Sequence, residues 1–203
     1  MLISYSSTRR FKTFRMVTNA LRWTTRDLEA MPDDGGWKRY EIMDGELYMT
    51  RAPHLFHQDA GGILYAELQV WSKRTRLGKP FQTPGLVFSP HDAVIPDVIW
   101  ISNERLANGM DESGHITVAP ELTIEILSAG VSNEQRDREV KLKFYSRHGV
   151  QEYWIVNWRL KEIEVYRRSQ QQLQLVSTLL LQDVLTSPLL PDFSVSLTDV
   201  FTN

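Results

Sequence analysis

The chain has 203 residues and is 42% hydrophobic, 24% charged and 10% aromatic, which is an ordinary globular composition with enough length to bury one core. The formal net charge of −2 and the absence of cysteine exclude a histone-like basic protein, a disulfide framework, cysteine-ligated zinc and thiolate catalysis. No apolar run approaches the roughly 18 residues of a membrane span. The cysteine-free composition is compatible with a reducing, cytoplasmic setting.

The amino-terminal stretch is basic. Six Lys or Arg residues precede the first acid, Asp27, and the opening fifteen residues are rich in Ser, Thr and Arg. We expect residues 1–18 to form a flexible basic arm and residues 19–203 to form one domain. Two alternatives remain for the arm, because an organelle transit peptide has the same composition and Met16 offers another start codon.

The first predicted elements are a short helix, a hairpin and a long helix. A threonine-capped helix is expected at TTRDLEAM. Two β-rich runs then flank Asp44-Gly45, which is a strong hairpin signal. The segment after Pro53 is predicted as a helix because one stripe recurs at offsets of three and four. The stripe consists of His57, Gly61, Leu64, Leu68 and Trp71.

The remainder of the chain predicts a mixed sheet with further helices. Short strands are expected at 86–88, 93–95 and 97–101, and the apolar run at 122–127 is typical of a central strand covered on both faces. A helix over about 133–148 follows. The last predicted strands and a short terminal helix lie in EYWIVNW, EIEVYRR, QLQLVSTLLL and SPLLPDFSVSLTDVF. This order predicts an α/β or α+β fold with a mixed sheet flanked by helices.

The residues that carry chemistry are carboxylates, because the chain has no P-loop, GxGxxG, HExxH or GxSxG motif. Asp97 stands at the head of one apolar strand, and Glu125 is the sole charged residue in another. A carboxylate in a central strand is costly to bury unless it is paired or bound to metal. Glu46 heads the second hairpin strand and is a third candidate. Three converging acids are typical of a Mg²⁺ or Mn²⁺ site.

The helix after Glu125 supplies a candidate base. At about 100° per residue, Lys141 lies on the apolar side with Phe144, whereas Lys143 lies on the polar side. An inward ammonium group beside carboxylates can stabilise charge on a phosphate or position an attacking water. The alternative is a structural ion pair between Lys141 and Asp137, four residues earlier.

Asp97, Glu125 and Lys141 together resemble the PD-(D/E)XK nuclease pattern, with the lysine moved onto the neighbouring helix because Leu127 occupies its usual place. More specifically, the chain resembles the Uma-two family of restriction-endonuclease-like proteins over about residues 24–201. The matching pieces, in chain order, are YEIMDGELYM, the helix opening at His57, PDVIWIS, PELTIEILS, the KLKFY helix, GVQEYWIV and LLPDFSVSLTDVF.

This resemblance implies a restriction-endonuclease-like domain that hydrolyses DNA with Mg²⁺ or Mn²⁺. The residues it implies are the catalytic Asp97, Glu125 and Lys141, the metal ligands Asp97, Glu125 and Glu46, and the supporting His57, Ser128 and Asp137. Family members usually have Asp where this chain has Asn157, which we place outside the contact shell of the metal. A homodimer is expected if each of two active sites cuts one strand of a duplex.

Other residues have competing interpretations. His54 and His57 are spaced to ligate zinc, but two histidines without a third partner are more often one surface and one core residue. The basic cluster at the end of the long helix is either a solvated cap or a weak phosphate-contacting patch. This cluster consists of Lys73, Arg74 and Arg76. Most of the six tryptophans are expected to pack in the core rather than to stack on bases.

The rival to the nuclease hypothesis is a non-catalytic nucleic-acid-binding or interaction protein that retains the nuclease fold. The excess of acids after the amino-terminal stretch and the lack of a clear basic face favour the rival. The presence of all the expected carboxylates favours the nuclease, because a degenerate site would have lost them.

Overall fold

The computed structural model describes residues 21–32, 35 and 37–202, so the predicted arm at 1–18 lies outside the described residues. The helices are α1 (Thr25–Glu29), α2 (Leu55–Thr75), α3 (Asn103–Ala107), α4 (Val131–Gln135), α5 (Leu142–His148) and α6 (Leu197–Val200), with a π-helical segment, Arg136–Lys141, between α4 and α5. The strands are β1 (Lys38–Met43), β2 (Glu46–Arg51), β3 (Gly78–Gln82), β4 (Leu86–Ser89), β5 (Asp92–Val94), β6 (Val98–Ser102), β7 (Leu122–Ile126), β8 (Glu152–Asn157), β9 (Glu162–Ser169), β10 (Gln172–Leu179), β11 (Val184–Ser187) and β12 (Leu190–Ser196).

The central element of the described chain is a six-stranded mixed sheet with the order β10-β9-β8-β7-β6-β3. Strands β7 and β8 are parallel, and the other neighbouring pairs are antiparallel. A parallel pair requires a crossover connection, which is supplied here by α4, the π-helical segment and α5. Every residue of β7 is buried, as its apolar sequence predicts. The expected mixed sheet flanked by helices is confirmed.

Apolar side chains cover the sheet on both faces. Helix α2 packs Leu64 and Leu68 against one face, in a cluster that includes Ile124 of β7. Helix α5 packs Phe144 against the other face, in a separate cluster that includes Tyr153 of β8. Since side chains alternate along a strand, Glu125 points to the α5 side when its neighbour Ile124 points to α2.

The β1–β2 hairpin has the turn that its sequence predicts. Asp44 and Gly45 both have positive φ, at 55° and 77°, as a two-residue type I′ turn requires. Strand β1 also pairs with β5, which places the hairpin in a second sheet with the order β2-β1-β5-β4. Arg147 of α5 contacts Asp44 at 2.7 Å. The hairpin is therefore fixed beside α5, on the same side of the large sheet as Glu125.

Some elements differ from the sequence prediction. The segment around Pro80, for which the sequence predicts no element, is strand β3; it tolerates proline because it is an edge strand of the sheet. The tail contains the additional hairpin β11–β12 before the terminal helix. No helix among the described residues combines the length and the apolar character needed to cross a membrane.

Candidate active site

Asp97 lies at the start of β6, where the chain leaves Pro96 and enters the six-stranded sheet. Its Oδ2 accepts the backbone N–H of Ile126 at 2.9 Å and lies 3.3 Å from Nε2 of His57 on α2. Burial alone would raise the pKa of Asp97, but the hydrogen bond and charge of His57, together with the Ile126 N–H, outweigh it and lower that pKa. Asp97 is therefore an ionised carboxylate held by β7 and α2.

Glu125 and Lys141 meet in the interior, on the side where the helix periodicity places Lys141. Lys141 Nζ lies 2.8 Å from Oε1 of Glu125, which also accepts the Tyr145 hydroxyl at 2.7 Å. The same ammonium group lies 3.1 Å from Oε1 of Glu41. The alternative ion pair between Lys141 and Asp137 is not observed, because Lys141 pairs with Glu125 and Glu41 instead. Residues four apart in the wider π-helical turn no longer lie directly above one another.

Glu46 does not line the cavity that Asp97 and Glu125 line, so the predicted convergence of these three acids is not observed, and Glu41 is the hairpin acid at the cavity. Both residues face the same side of the hairpin, since Glu41 pairs with Tyr48 and Glu46 pairs with Met43. Glu46 is about 7 Å further toward the turn, given two strand positions of separation. It is exposed and accepts the Tyr48 hydroxyl at 2.9 Å, whereas Glu41 is 3% exposed.

Four acids and two cations form what we call the acid cluster. Its members are Glu41, Asp97, Glu125 and Asp137 with Arg136 and Lys141. Burial raises the pKa of Glu125 to about 8; repulsion from the other acids adds to this effect, and Lys141 opposes it. Burial would lower the pKa of Lys141, but the surrounding carboxylates, led by Glu125, raise it. The raised pKa of Glu125 shows that this carboxylate favours the uptake of a proton or a cation.

The acid cluster surrounds a small cavity that opens into a larger cleft. The cavity has a volume of about 30 Å³, which exceeds the roughly 10–15 Å³ that a single water requires. The cleft measures about 560 Å³ and shares Thr50, Arg51, His57 and Ser128 with the wall of the cavity. A substrate group that enters the cleft can therefore approach Asp97 from the side of β2 and α2.

The oxygen atoms left over by this network suit a hard divalent cation. The hydrogen bonds to Asp97 and Glu125 fall on Oδ2 and Oε1, so Asp97 Oδ1 and Glu125 Oε2 accept none from the described residues. Within residues 21–32, 35 and 37–202, no group of three or more His, Cys, Asp or Glu side chains is arranged to hold a metal ion. The residues that could hold Mg²⁺ here are therefore two carboxylates, with waters as the other ligands, rather than three acids.

The other predicted residues divide into two groups. His57, Asp137 and Ser128 line the cavity with the catalytic candidates, and Asn157 is buried at the end of β8 without lining it. The exposed basic cluster of Lys73, Arg74 and Arg76 lies at the opposite end of α2, about 24 Å from His57 at the helical rise. Its role as a phosphate-contacting patch stays a prediction, separate from this site.

Several residues of the site were missed by the sequence analysis. Glu41 carries the same signal as Glu125, since it is an acid beside a short apolar run, here Ile42 and Met43. Arg136 is 8% exposed although it is charged, and no sequence pattern separates it from the exposed arginines nearby. Arg39 lines the cavity from β1 with NH1 4.0 Å from Asp97 Oδ1, which follows only from the position of the hairpin.

Known proteins that resemble this chain agree with the fold. The crystal structure of a putative nuclease belonging to DUF820 from Anabaena variabilis superposes with a TM-score of 0.68 at 20% sequence identity, covering 88% of this chain and 97% of that chain. At this identity the likeness establishes a shared nuclease-like fold. The chain belongs to the Uma2 family, whose model, described as "Putative restriction endonuclease", matches residues 25–198. No curated protein matches the chain significantly. The family resemblance inferred from the sequence is confirmed.

Proposed function

We propose that this protein is a Mg²⁺-dependent or Mn²⁺-dependent endonuclease that hydrolyses phosphodiester bonds in DNA. The observation that carries the proposal is the convergence of Asp97, Glu125 and Lys141 on one cavity from three different elements. Membership of the Uma2 family supports a nuclease. The raised pKa of Glu125, whose charge is disfavoured by burial and by the neighbouring acids, supports a bound divalent cation at this carboxylate.

The proposed metal ligands are Asp97 and Glu125. A divalent cation held between them would lower the pKa of a bound water and neutralise a phosphate oxygen. His57 and the Ile126 N–H fix one oxygen of Asp97 and leave the other available. The Tyr145 hydroxyl does the same for Glu125.

The cations of the chain act on the phosphate. Lys141 keeps its proton beside Glu125 and Glu41, so it can stabilise the negative charge that develops on the phosphoryl group or orient the attacking water. Arg39 is about one third exposed, and its guanidinium group can contact a phosphate of the substrate in the cleft. In this proposal the protein works in the cytoplasm, where a cysteine-free enzyme has access to DNA.

Cleavage of supercoiled plasmid with Mg²⁺, with Mn²⁺ and with EDTA tests the proposal. We expect nicked and linear products with either metal and none with EDTA. Asp97→Asn should abolish the products, whereas the matched change Asp199→Asn on the exposed side of α6 should leave them unchanged. A parent protein that cleaves neither DNA nor RNA with any divalent metal would contradict the proposal.

One observation favours the rival, a nucleic-acid-binding protein that retains this fold without catalysis. The Lys141 side chain is 3% exposed and fully engaged by two carboxylates, so its reach toward a phosphate depends on movement of the site. Under this rival, the parent protein retards labelled DNA in a gel but produces no cleavage in the plasmid assay.

We further propose a homodimer, since a duplex has two strands and each protomer offers one acid cluster. The edge strand β10 is a suitable contact because it exposes Leu175 and Val176 and has no charged residue.

A further inference from the structure

A second pocket lies beyond the cleft, on the other side of Trp158. It has a volume of about 350 Å³ and three aromatic walls, and we call it the aromatic pocket. Its apolar lining consists of Phe56, Ala60, Trp158, Val200 and Phe201, and its charged lining consists of Asp59, Arg159 and Lys161. The volume lies within the range of small-molecule sites.

Trp158 is held in a fixed orientation between the cleft and the aromatic pocket. Its Nε1 donates to the carbonyl of Leu127 at 3.1 Å, which ties the ring to the end of β7. The exposed His54 ring stacks on it at 4.7 Å between centroids, with 10° between the planes. The Arg159 guanidinium group lies 5.8 Å from the ring centroid. Trp158 is half-buried and borders both spaces, unlike the tryptophans that are fully packed in the core.

We propose that the aromatic pocket binds one unpaired nucleobase of the substrate, next to the phosphate that the acid cluster cleaves. This inference rests on the proposed function and adds a substrate class, namely single-stranded or locally unpaired nucleic acid. Flat aromatic walls stack on any base without regard to sequence. The charged rim of the pocket, which includes Arg159 paired with Glu134, would lie beside the polar edge of the base.

The two sites are neighbours along α2. His57 touches Asp97, and Ala60, which lines the aromatic pocket, follows it by three residues on α2. Three residues correspond to about 4.5 Å along the helix axis. A phosphate beside Asp97 therefore places its attached nucleoside within reach of the pocket. A base still paired in a duplex cannot enter, because it would first have to be unstacked and unpaired.

The inference is tested with a fluorescent single strand of twenty nucleotides, the same strand in a duplex, and a single strand with abasic sites at the positions around the cleavage point. With Mn²⁺, we expect the parent protein to cleave the single strand at least tenfold faster than the duplex. An abasic position beside the cleaved bond should lower the rate by a similar factor. Affinity is measured in parallel by fluorescence anisotropy in EDTA, so that binding is scored even without cleavage.

The variant Ala60→Met fills part of the aromatic pocket with a flexible side chain. The matched control is Ala66→Met, on the exposed side of the same helix. Ala60→Met should lose most of the preference for the single strand, while Ala66→Met behaves as the parent. Thermal melting verifies that both variants fold. If Ala60→Met does not fold, Phe56→Ala provides a second change in the pocket.

The outcomes separate this inference from the proposed function. If the parent cleaves both substrates, and Ala60→Met has the same ratio of single-strand rate to duplex rate, the base-binding pocket is wrong and the nuclease proposal stands. A parent that binds the single strand through the pocket but cleaves nothing overturns the nuclease and leaves the pocket. If the parent neither binds nor cleaves any of the three oligonucleotides, both are wrong.

Discussion

At the scale of single residues, Lys141 is a buried ammonium group between two buried carboxylates, Glu125 and Glu41. Lys141→Ala is expected to lower the cleavage rate by about 10²–10³, the usual effect of removing one electrostatic donor. It should also destabilise the fold by about 3–5 kcal/mol, because unpaired carboxylates stay buried. Lys143→Ala, on the exposed side of α5, should change neither the rate nor the melting temperature.

The comparison of Lys141→Ala with Lys143→Ala separates a catalytic lysine from an exposed lysine on the same helix. If Lys141→Ala cleaves plasmid as fast as the parent while Asp97→Asn is inactive, the lysine on the helix has no catalytic role and another cation, such as Arg39, must act on the phosphate.

Glu125 is the acid whose charge is least favourable when no metal is bound. Glu125→Gln keeps an acceptor for Tyr145 and Lys141 and removes the buried acid that the other carboxylates repel when it ionises. We expect the variant to be more stable than the parent in EDTA, by on the order of 1 kcal/mol. We also expect it to lose the increase in melting temperature that Mn²⁺ gives the parent. Equal Mn²⁺ shifts in both proteins would remove Glu125 from the metal site.

His148 gives the fold a dependence on pH outside the acid cluster. Its ring stacks on Phe88, with 4.3 Å between the ring centroids. Its buried Nε2 has no hydrogen-bond partner in the described chain. Burial lowers the pKa of His148, although Asp92 opposes this effect. The unfolded state therefore binds more protons below about pH 6.5, and stability is lost as the pH falls through that value.

The variant His148→Phe keeps the stacked ring and removes the titrating group. Between about pH 7.5 and pH 5.5, the parent should lose more of its urea-unfolding free energy than His148→Phe does. Parallel losses in the two proteins would show that this histidine titrates alike in the folded and unfolded states.

At the scale of secondary structure, α2 contains a glycine that is not required by packing. A Cβ atom at Gly62 would meet no other atom within 4 Å. Gly62→Ala should therefore stabilise the protein by about 0.5–1 kcal/mol, seen as a rise of a few degrees in melting temperature. The contrasting change is Gly78→Ala in β3, where the added Cβ would collide with the carbonyl of Ile101 and the ring of Trp100. It should lower the melting temperature by several degrees.

The helix that carries Lys141 shows what periodicity can and cannot predict. The sequence predicts a continuous helix over 133–148 closed by Gly149, and the structure has one over 131–148 with Gly149 at a φ of 96°. Periodicity also assigns Lys141 to the inner side. It does not reveal the π-helical segment 136–141, whose contacts, such as the Tyr153 hydroxyl donating to the Asp137 carbonyl, involve residues that the helix period does not include.

The hairpin shows the limit of sequence analysis for the site itself. The Asp44-Gly45 turn and both strands are predictable from local preferences. Which of the two acids, Glu41 or Glu46, enters the site depends on where along the hairpin the large sheet lies. That position is set by contacts distant in sequence, such as Arg147 with Asp44. The sequence therefore identifies the strands correctly and the third acid incorrectly.

At the scale of the whole molecule, the edge strand β10 governs association. Leu175 and Val176 are about half exposed on a strand that contains no charge and no proline. In size-exclusion chromatography with light scattering, we expect the mass of the eluted parent protein to be that of a dimer. Val176→Lys places a charge on this edge and should give a monomer that is folded and still unfolds cooperatively. A monomeric parent, or a dimeric Val176→Lys, would place the contact elsewhere or exclude it.

The six-stranded sheet separates two apolar clusters that have no residue in common. Glu125 and Lys141 lie on the α5 side, and the larger cluster lies on the α2 side. Free energies of substitutions this far apart add nearly independently. As long as His57 is kept, substitutions around Leu64 and Leu68 can raise the stability of the protein without changing the site on the opposite face. A lineage that carries this fold can therefore adapt to a warmer habitat while its active site stays the same.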